Sequence, residues 1–205
     1  MTEHIIFLNN VEAAAPDLRL IVRPVRPQPP RIDGLYFRHI GLGRWRSYLP
    51  DGSPAVIGCV TTPLGSVGDV LLGKEAWADD WEHNRVFYRA EADGDGHIPC
   101  ESSGAGGLGG GGGYARVDKW RSPATMPRWA VRWRRTVVEV GVMRVGEITT
   151  EQAVMAGFQD TQGRPWWPRT EFRKNWERRW KQAGNPWCEP GSWAWWAMVE
   201  EGHHA

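Results

Sequence analysis

Apolar positions along this chain recur at two-residue spacing through most of its length and at helical spacing only near the end. Residues 4–8 (HIIFL) predict a first strand. Residues 11–20 carry a weak helical pattern that Pro16 interrupts. Four prolines between Arg23 and Pro30 (RPVRPQPP) remove donors and fix φ, which predicts an extended crossing segment, neither regular helix nor central strand. Short alternations punctuated by Gly and Pro over 31–66 predict a hairpin around Arg44–Tyr48 and Ala55–Val60. Gly68-Asp69 signals a turn, Val70-Leu71-Leu72 opens a strand running toward Trp77, and Val86–Ala90 is another.

Trp129–Val145 reads as one long strand or a bent pair. Val138, Val140 and Val142 share their parity with Arg132, Arg134 and Arg144, a mixture that implies a bend or bulge. Thr149-x-x-Gln152 is a capping box opening a short helix that ends at Gly157. A second helix spans Thr170–Ala183, with Phe172, Trp176 and Trp180 as its apolar stripe and Arg173, Glu177 and Lys181 as a charge ladder. Lys174, Arg178 and Arg179 are left to face a ligand, and Gly184 closes the helix. Trp193–Glu201 is a final strand. Many strands with two late helices predict an α+β fold: a small, partly closed barrel with helices packed at its rim, in one domain.

Composition narrows the class. Of 205 residues, 41% are hydrophobic, enough for a core. The longest apolar run, Trp193–Val199, is too short to cross a bilayer, so no membrane partner is expected. The opening MTEHIIFLNN lacks the basic and apolar regions of a signal peptide. Cys59, Cys100 and Cys188 are scattered and odd in number, which argues against a disulfide framework or a zinc site and for a reducing, cytoplasmic compartment. His203-His204 makes a poor chelate, and neither Asp79-Asp80 nor Asp93-x-Asp95 completes a calcium loop, so no metal or cofactor is expected. Gly104–Gly113 holds eight glycines in ten residues and reads as a loop; poly-glycine satisfies a dinucleotide fingerprint trivially.

Charge is unevenly spread. Asp69–Glu101 holds nine acidic and three basic residues, and Arg116–Lys181 holds fifteen basic and seven acidic, which predicts a basic face for an anionic partner. Arginine outnumbers lysine 21 to 4, and 13 of the 14 tryptophans follow Trp45, many beside arginine. A planar guanidinium grips phosphate and an indole stacks on a base.

Four segments resemble the ASCH group of the PUA-like superfamily in its bacteriophage versions: RPVRPQPP (Arg23–Pro30), GDVLLGKEAWA (Gly68–Ala78), KWRSPATMPRWA (Lys119–Ala130) and NPWCEPGSWAWWAMVEE (Asn185–Glu201). ITTEQAVMAGF (Ile148–Phe158) falls at the matching spacing, with insertions near 31–66 and 92–115. The resemblance implies a PUA-like barrel whose cleft binds RNA or a modified nucleoside. It also implies that small members deacetylate N4-acetylcytidine with a lysine, a threonine and a glutamate. Those positions fall here on Leu18, Ile21 and Ala156, which cannot serve as nucleophile, base or oxyanion donor.

The candidate ligand-binding set is therefore Lys74, Glu75, Lys119, Trp120, Arg121, Arg128, Arg132 and Arg134, with Arg135 as an extension. Glu75 is placed to accept from a base edge, and the Pro-flanked Lys119–Arg128 loop to hold phosphate or stack a base. Arg164, Trp166, Trp167 and Arg169 form a second aromatic-basic loop, better read as core cover. The expected function is binding of RNA, DNA or a modified nucleotide in a bacterial host cell, without the hydrolase residues. One alternative is a hydrolase with relocated groups, Glu75 and Lys119. Another is a phage morphogenesis or counter-defence protein acting through a phage or host protein.

Overall fold

The computed structural model describes residues 1–15, 17–29, 32–80, 85–93, 95, 97–100, 113–117, 119–160, 163–182 and 191–200. The chain is mixed α+β and mostly strand. In order it forms β1 (Glu3–Phe7), α1 (Asn10–Ala14), β2 (Leu20–Pro24), β3 (Tyr36–Gly41), β4 (Arg44–Tyr48), β5 (Pro54–Thr61), β6 (Val70–Lys74), β7 (Trp77–Asp80) and β8 (Arg85–Tyr88). There follow β9 (His97–Cys100), β10 (Gly113–Arg116), β11 (Trp133–Arg144), α2 (Thr150–Met155), α3 (Trp167–Gln182) and β12 (Trp193–Val199). The chain separates into two compact units: Met1–Ile6 with Ala15–Leu72 and Arg134–Ala205, and Phe7–Ala14 with Gly73–Trp133.

The first unit is built on a five-stranded sheet of order β1-β6-β11-β12-β2, with a separate antiparallel sheet β3-β4-β5. Among the described residues these sheets are open; no closed barrel forms. Leu18, Leu20, Ile21, Val137, Ile148 and Trp195 are almost wholly buried. Trp195 carries the aromatic part of the core: the Trp45 ring lies 5.9 Å from it and the Phe37 ring 6.3 Å, and Phe37 meets Trp193 at 5.1 Å. These edge-on contacts suit aromatic quadrupoles and pin the β3-β4 hairpin by its inner face.

The expected bend in the long strand is a bulge at Val138, where Val137 pairs with Val199 and Glu139 with Met198. Val140 and Val142 pair with Ala197 and Trp195, whereas Val138 is displaced outward, 43% exposed. The capping box forms as expected: Thr149 Oγ1 accepts from the Gln152 amide and Gln152 Oε1 from that of Thr149. Gly157 then closes α2 at a positive φ of 92°.

Several elements differ from expectation. Arg23 and Pro24 lie in β2, because a proline is tolerated at the last residue of a strand ending the sheet. The expected strand from Val70 to Trp77 is two, β6 and β7, separated at Glu75-Ala76. The helix predicted over 11–20 stops at Ala14. The Asn9 side chain caps it by accepting from the Glu12 amide, and Glu12 returns the bond to the Asn9 amide. The second helix starts at Trp167, with Pro168 in its first turn, where the missing N–H costs nothing. On that helix Arg173 does not serve a ladder: Arg169 and Arg173 both donate to the Gly146 carbonyl, at 2.8 and 2.6 Å. Lys174 is not left for a ligand but pairs with Glu171 at 2.9 Å. Gly184 and Gly104–Gly112 lie outside the described residues.

In the second unit β7 pairs with β8 and β9 with β10. Trp77, Met126 and Ala130 form its small core, with Val86, Tyr88 and Val131 against them. No helix among the described residues is long and apolar enough to cross a membrane.

Gly141 in β11 lies directly opposite Trp196, and a Cβ there would sit 2.5 Å from the indole. Its backbone is not in the left-handed region, so the constraint is space alone. We predict that Gly141→Ala costs about 1–3 kcal/mol by overpacking, read as a lower urea midpoint with unchanged slope. An unchanged midpoint would show that the indole swings aside freely.

Candidate nucleic-acid interface

Residues 119–133 hold most of the expected site, and local chemistry makes this segment rigid. Ser122 Oγ accepts from the Ala124 amide to open a 3-10 turn at Pro123–Thr125, and a second turn follows at Arg128–Ala130. Prolines at 123 and 127 preset the backbone of both. Met126, 2% exposed, anchors the loop in the core, and the Lys74 ammonium donates to its carbonyl at 2.7 Å. Trp77 Nε1 lies 3.3 Å from Thr125 Oγ1, and the Trp77 and Arg121 backbones bond to one another.

Glu75 lies at the centre of a charged cluster. Its carboxylate is buried, and both oxygens accept from Arg132, Oε1 from Nε at 2.8 Å and Oε2 from Nη2 at 3.3 Å. Arg132 also donates to Glu91, and its Cζ lies 4.2 Å from the centre of the Tyr88 ring. The Tyr88 hydroxyl donates to the Ala130 carbonyl at 2.8 Å. Burial lifts the Glu75 carboxyl above its ordinary range, and Arg132 only partly pulls it back. Burial also works against the Arg132 charge, but Glu75 and Glu91 outweigh it and hold the guanidinium above its usual value.

Lys74, Glu75, Lys119, Trp120, Arg121, Arg128 and Arg132 all fall in the second unit. Their availability differs. Arg121 pairs with Asp79 at 2.6 Å and lies 5.0 Å over Trp77. Arg132 is held by two carboxylates and Lys74 by a carbonyl. Lys119 is exposed, Arg128 is exposed while also making an interaction within the chain, Trp120 is half-buried, and Trp129 is 76% exposed. Arg134 belongs to the first unit, where it pairs with Glu3 at 2.7 Å, and Arg135 donates to the Arg134 carbonyl. Of the lesser aromatic-basic loop, Trp166 is 52% exposed.

The opposite charges of the two sequence stretches therefore meet within one unit. Asp79, Glu75 and Glu91 come from the acidic stretch, Arg121 and Arg132 from the basic one. Sequence reasoning missed Glu91 and Tyr88, which carry no motif; only the excess of acid just ahead of the arginine run hinted at pairing. Leu18, Ile21 and Ala156 are all buried and apolar. A backbone bond from the Arg19 amide to the Met155 carbonyl, 2.8 Å, joins their two segments. Among the described residues no three His, Cys, Asp or Glu side chains are grouped to hold a metal.

Removing Arg132 leaves Glu75 buried without its counter-charge. We predict that Arg132→Ala costs on the order of 3 kcal/mol near neutral pH. Without the guanidinium the Glu75 carboxyl rises further, so the folded state binds its proton more tightly than the unfolded chain does. Stability is then retained below the unfolded carboxyl pKa and lost as pH rises through the folded one. The deficit against the parent protein should grow with pH in chemical denaturation; a deficit that is flat or shrinks with pH contradicts the assignment.

Comparison with family models, with curated proteins and with solved structures returns no match for this chain.

Proposed function

We propose that this protein binds single-stranded nucleic acid through the 119–130 loop of its second unit, as a PUA-like, ASCH-related domain encoded by a phage and acting in the host cytoplasm. The observation that carries the reading is Trp129. A large indole 76% exposed is costly to leave in water, and it stands beside the exposed Arg128 on a loop fixed by two prolines and a buried methionine. A rigid indole beside a cation offers a stacking platform with a phosphate grip alongside. Lys119 adds a further exposed cation on the same loop. The resemblance of KWRSPATMPRWA to the phage family motif supports the same assignment. Glu75 and Arg132 are read as the brace under the loop, with both carboxylate oxygens of Glu75 engaged by Arg132. Leu18, Ile21 and Ala156 offer no hydrolytic chemistry, so the reading routes none through them.

The test is anisotropy of a labelled oligonucleotide titrated with the full chain at ~50 and ~200 mM salt. Trp129→Ala with Arg128→Ala should weaken binding roughly tenfold, the loss expected for one stacked base. It should also flatten the salt slope by about 0.7, the share of one phosphate contact on a single strand. Arg121→Ala, whose charge is already met by Asp79, should flatten it less. Unchanged affinity and slope in the double variant would remove the loop from the site.

A further inference from the structure

The sheet β3-β4-β5 of the first unit has two unlike faces. Phe37 and Trp45 point inward onto Trp195 and Trp193. The alternate positions, Tyr36, Arg38, Arg44, Arg46, Tyr48 and Cys59, form the other face. Tyr36 and Tyr48 are direct cross-strand partners with rings 5.7 Å apart and nearly parallel. Arg38 Cζ lies 5.3 Å from the centre of each ring.

Folding alone does not account for the charge on this face. Arg38 and Arg46 are paired directly across β3 and β4, an arrangement of like charges that destabilises a hairpin. Arg44 adds a third cation two residues along. The sequence from Tyr36 to Thr61 contains one acid, Asp51, and its Oδ1 accepts from the Ser53 amide and hydroxyl. The partner found for Arg46 is a thiol: its guanidinium lies 3.5 Å from Cys59 Sγ. Arg121, Arg132 and Arg134, by contrast, each lie on a carboxylate. At the hairpin tip Leu42 is 91% exposed at a φ of 50°, and Ile40 on the outer face is 42% exposed. A branched side chain rarely adopts that φ, and such strain gathers at binding surfaces.

We propose that the outer face of β3-β4-β5 is a second surface for single-stranded nucleic acid, with Tyr36 and Tyr48 stacking bases and Arg38, Arg44 and Arg46 receiving phosphates. A polyanion matches three arginines that lack a carboxylate among the described residues, and its bases match two half-buried, nearly parallel rings on the same face. This surface goes beyond the loop reading and stands on different residues, so either can fail alone.

Two readouts on the full chain test it, with oligo(U) and oligo(dT) of about twelve residues as probes, a length within the range one small sheet domain covers. First, Arg38→Ala with Arg46→Ala should flatten the salt slope by about 1.4, two single-strand phosphate contacts, and Tyr36→Leu with Tyr48→Leu should weaken binding at least tenfold. Second, in the unaltered protein, saturating oligonucleotide should slow alkylation of Cys59, followed by peptide mass spectrometry; this holds even if a variant fails to fold. Unchanged affinity in both folded variants, an unprotected Cys59, or failure of the parent chain to bind either probe overturns the proposal. Losses confined to the Arg128 and Trp129 variants leave the loop reading standing and remove this one. Losses confined to the sheet variants do the reverse. Equal displacement by inorganic polyphosphate, charge for charge, would overturn the stacking role.

Discussion

A buried carboxylate that must not be left alone organises the second unit. Glu75 sits where solvent cannot reach it, and Arg132 is the group that makes this tolerable by covering both oxygens. Arg132 in turn needs Glu91 and the Tyr88 face, and Tyr88 reaches back to the carbonyl of Ala130, which lies in the core beside Met126 and Trp77. The loop that carries Trp129 to the surface is therefore braced at both ends by groups whose positions are fixed by charge pairing. An exposed indole on a floppy loop would lose much of its stacking energy to ordering; here the ordering is done on folding.

The same pairing changes how the charge pattern is read. Along the sequence, an acidic stretch followed by a basic one suggests a basic face. In space, Asp79, Glu75 and Glu91 meet Arg121 and Arg132, so part of the asymmetry cancels inside the unit. The arginines of the β3-β4-β5 face have no carboxylate and no carbonyl partner among the described residues, whereas in α3 Arg169 and Arg173 are held by the Gly146 carbonyl and Lys174 by Glu171.

Much of the fold was legible because it is local. The alternation in β1, β4, β5, β8 and β12, the Thr149 capping box, the Phe172-Trp176 stripe and the bend in β11 follow from short-range rules and appear near their expected positions. The break after β6 was hidden because Glu75 and Ala76 do not read as a turn; they leave the strand because Glu75 turns inward to Arg132, 57 residues away. β3 was missed because Gly and Pro around it read as loop. For the candidate residues the sequence showed their chemistry and not their partners, and it left out Trp129, whose exposure no local pattern marks. Lys119, Arg128 and the exposed Trp129 lie on one loop, but the diversion of Arg121, Arg132 and Arg134 onto acids depends on long-range contacts. The Tyr36, Arg38, Arg46, Tyr48 face needed the pairing register of two strands, which no single segment reveals.

The proposed nucleic-acid surfaces are the 119–130 loop with its exposed Trp129 and the β3-β4-β5 face, whose arginines lack a carboxylate among the described residues. Hydrogen exchange of the whole chain, followed by mass spectrometry with and without a saturating single-stranded oligonucleotide, distinguishes these surfaces from the rest of the described chain. Exchange should slow in peptides covering 36–48 and 120–131, with α3 unchanged. Protection confined to α3, or none anywhere at saturation, would contradict both assignments.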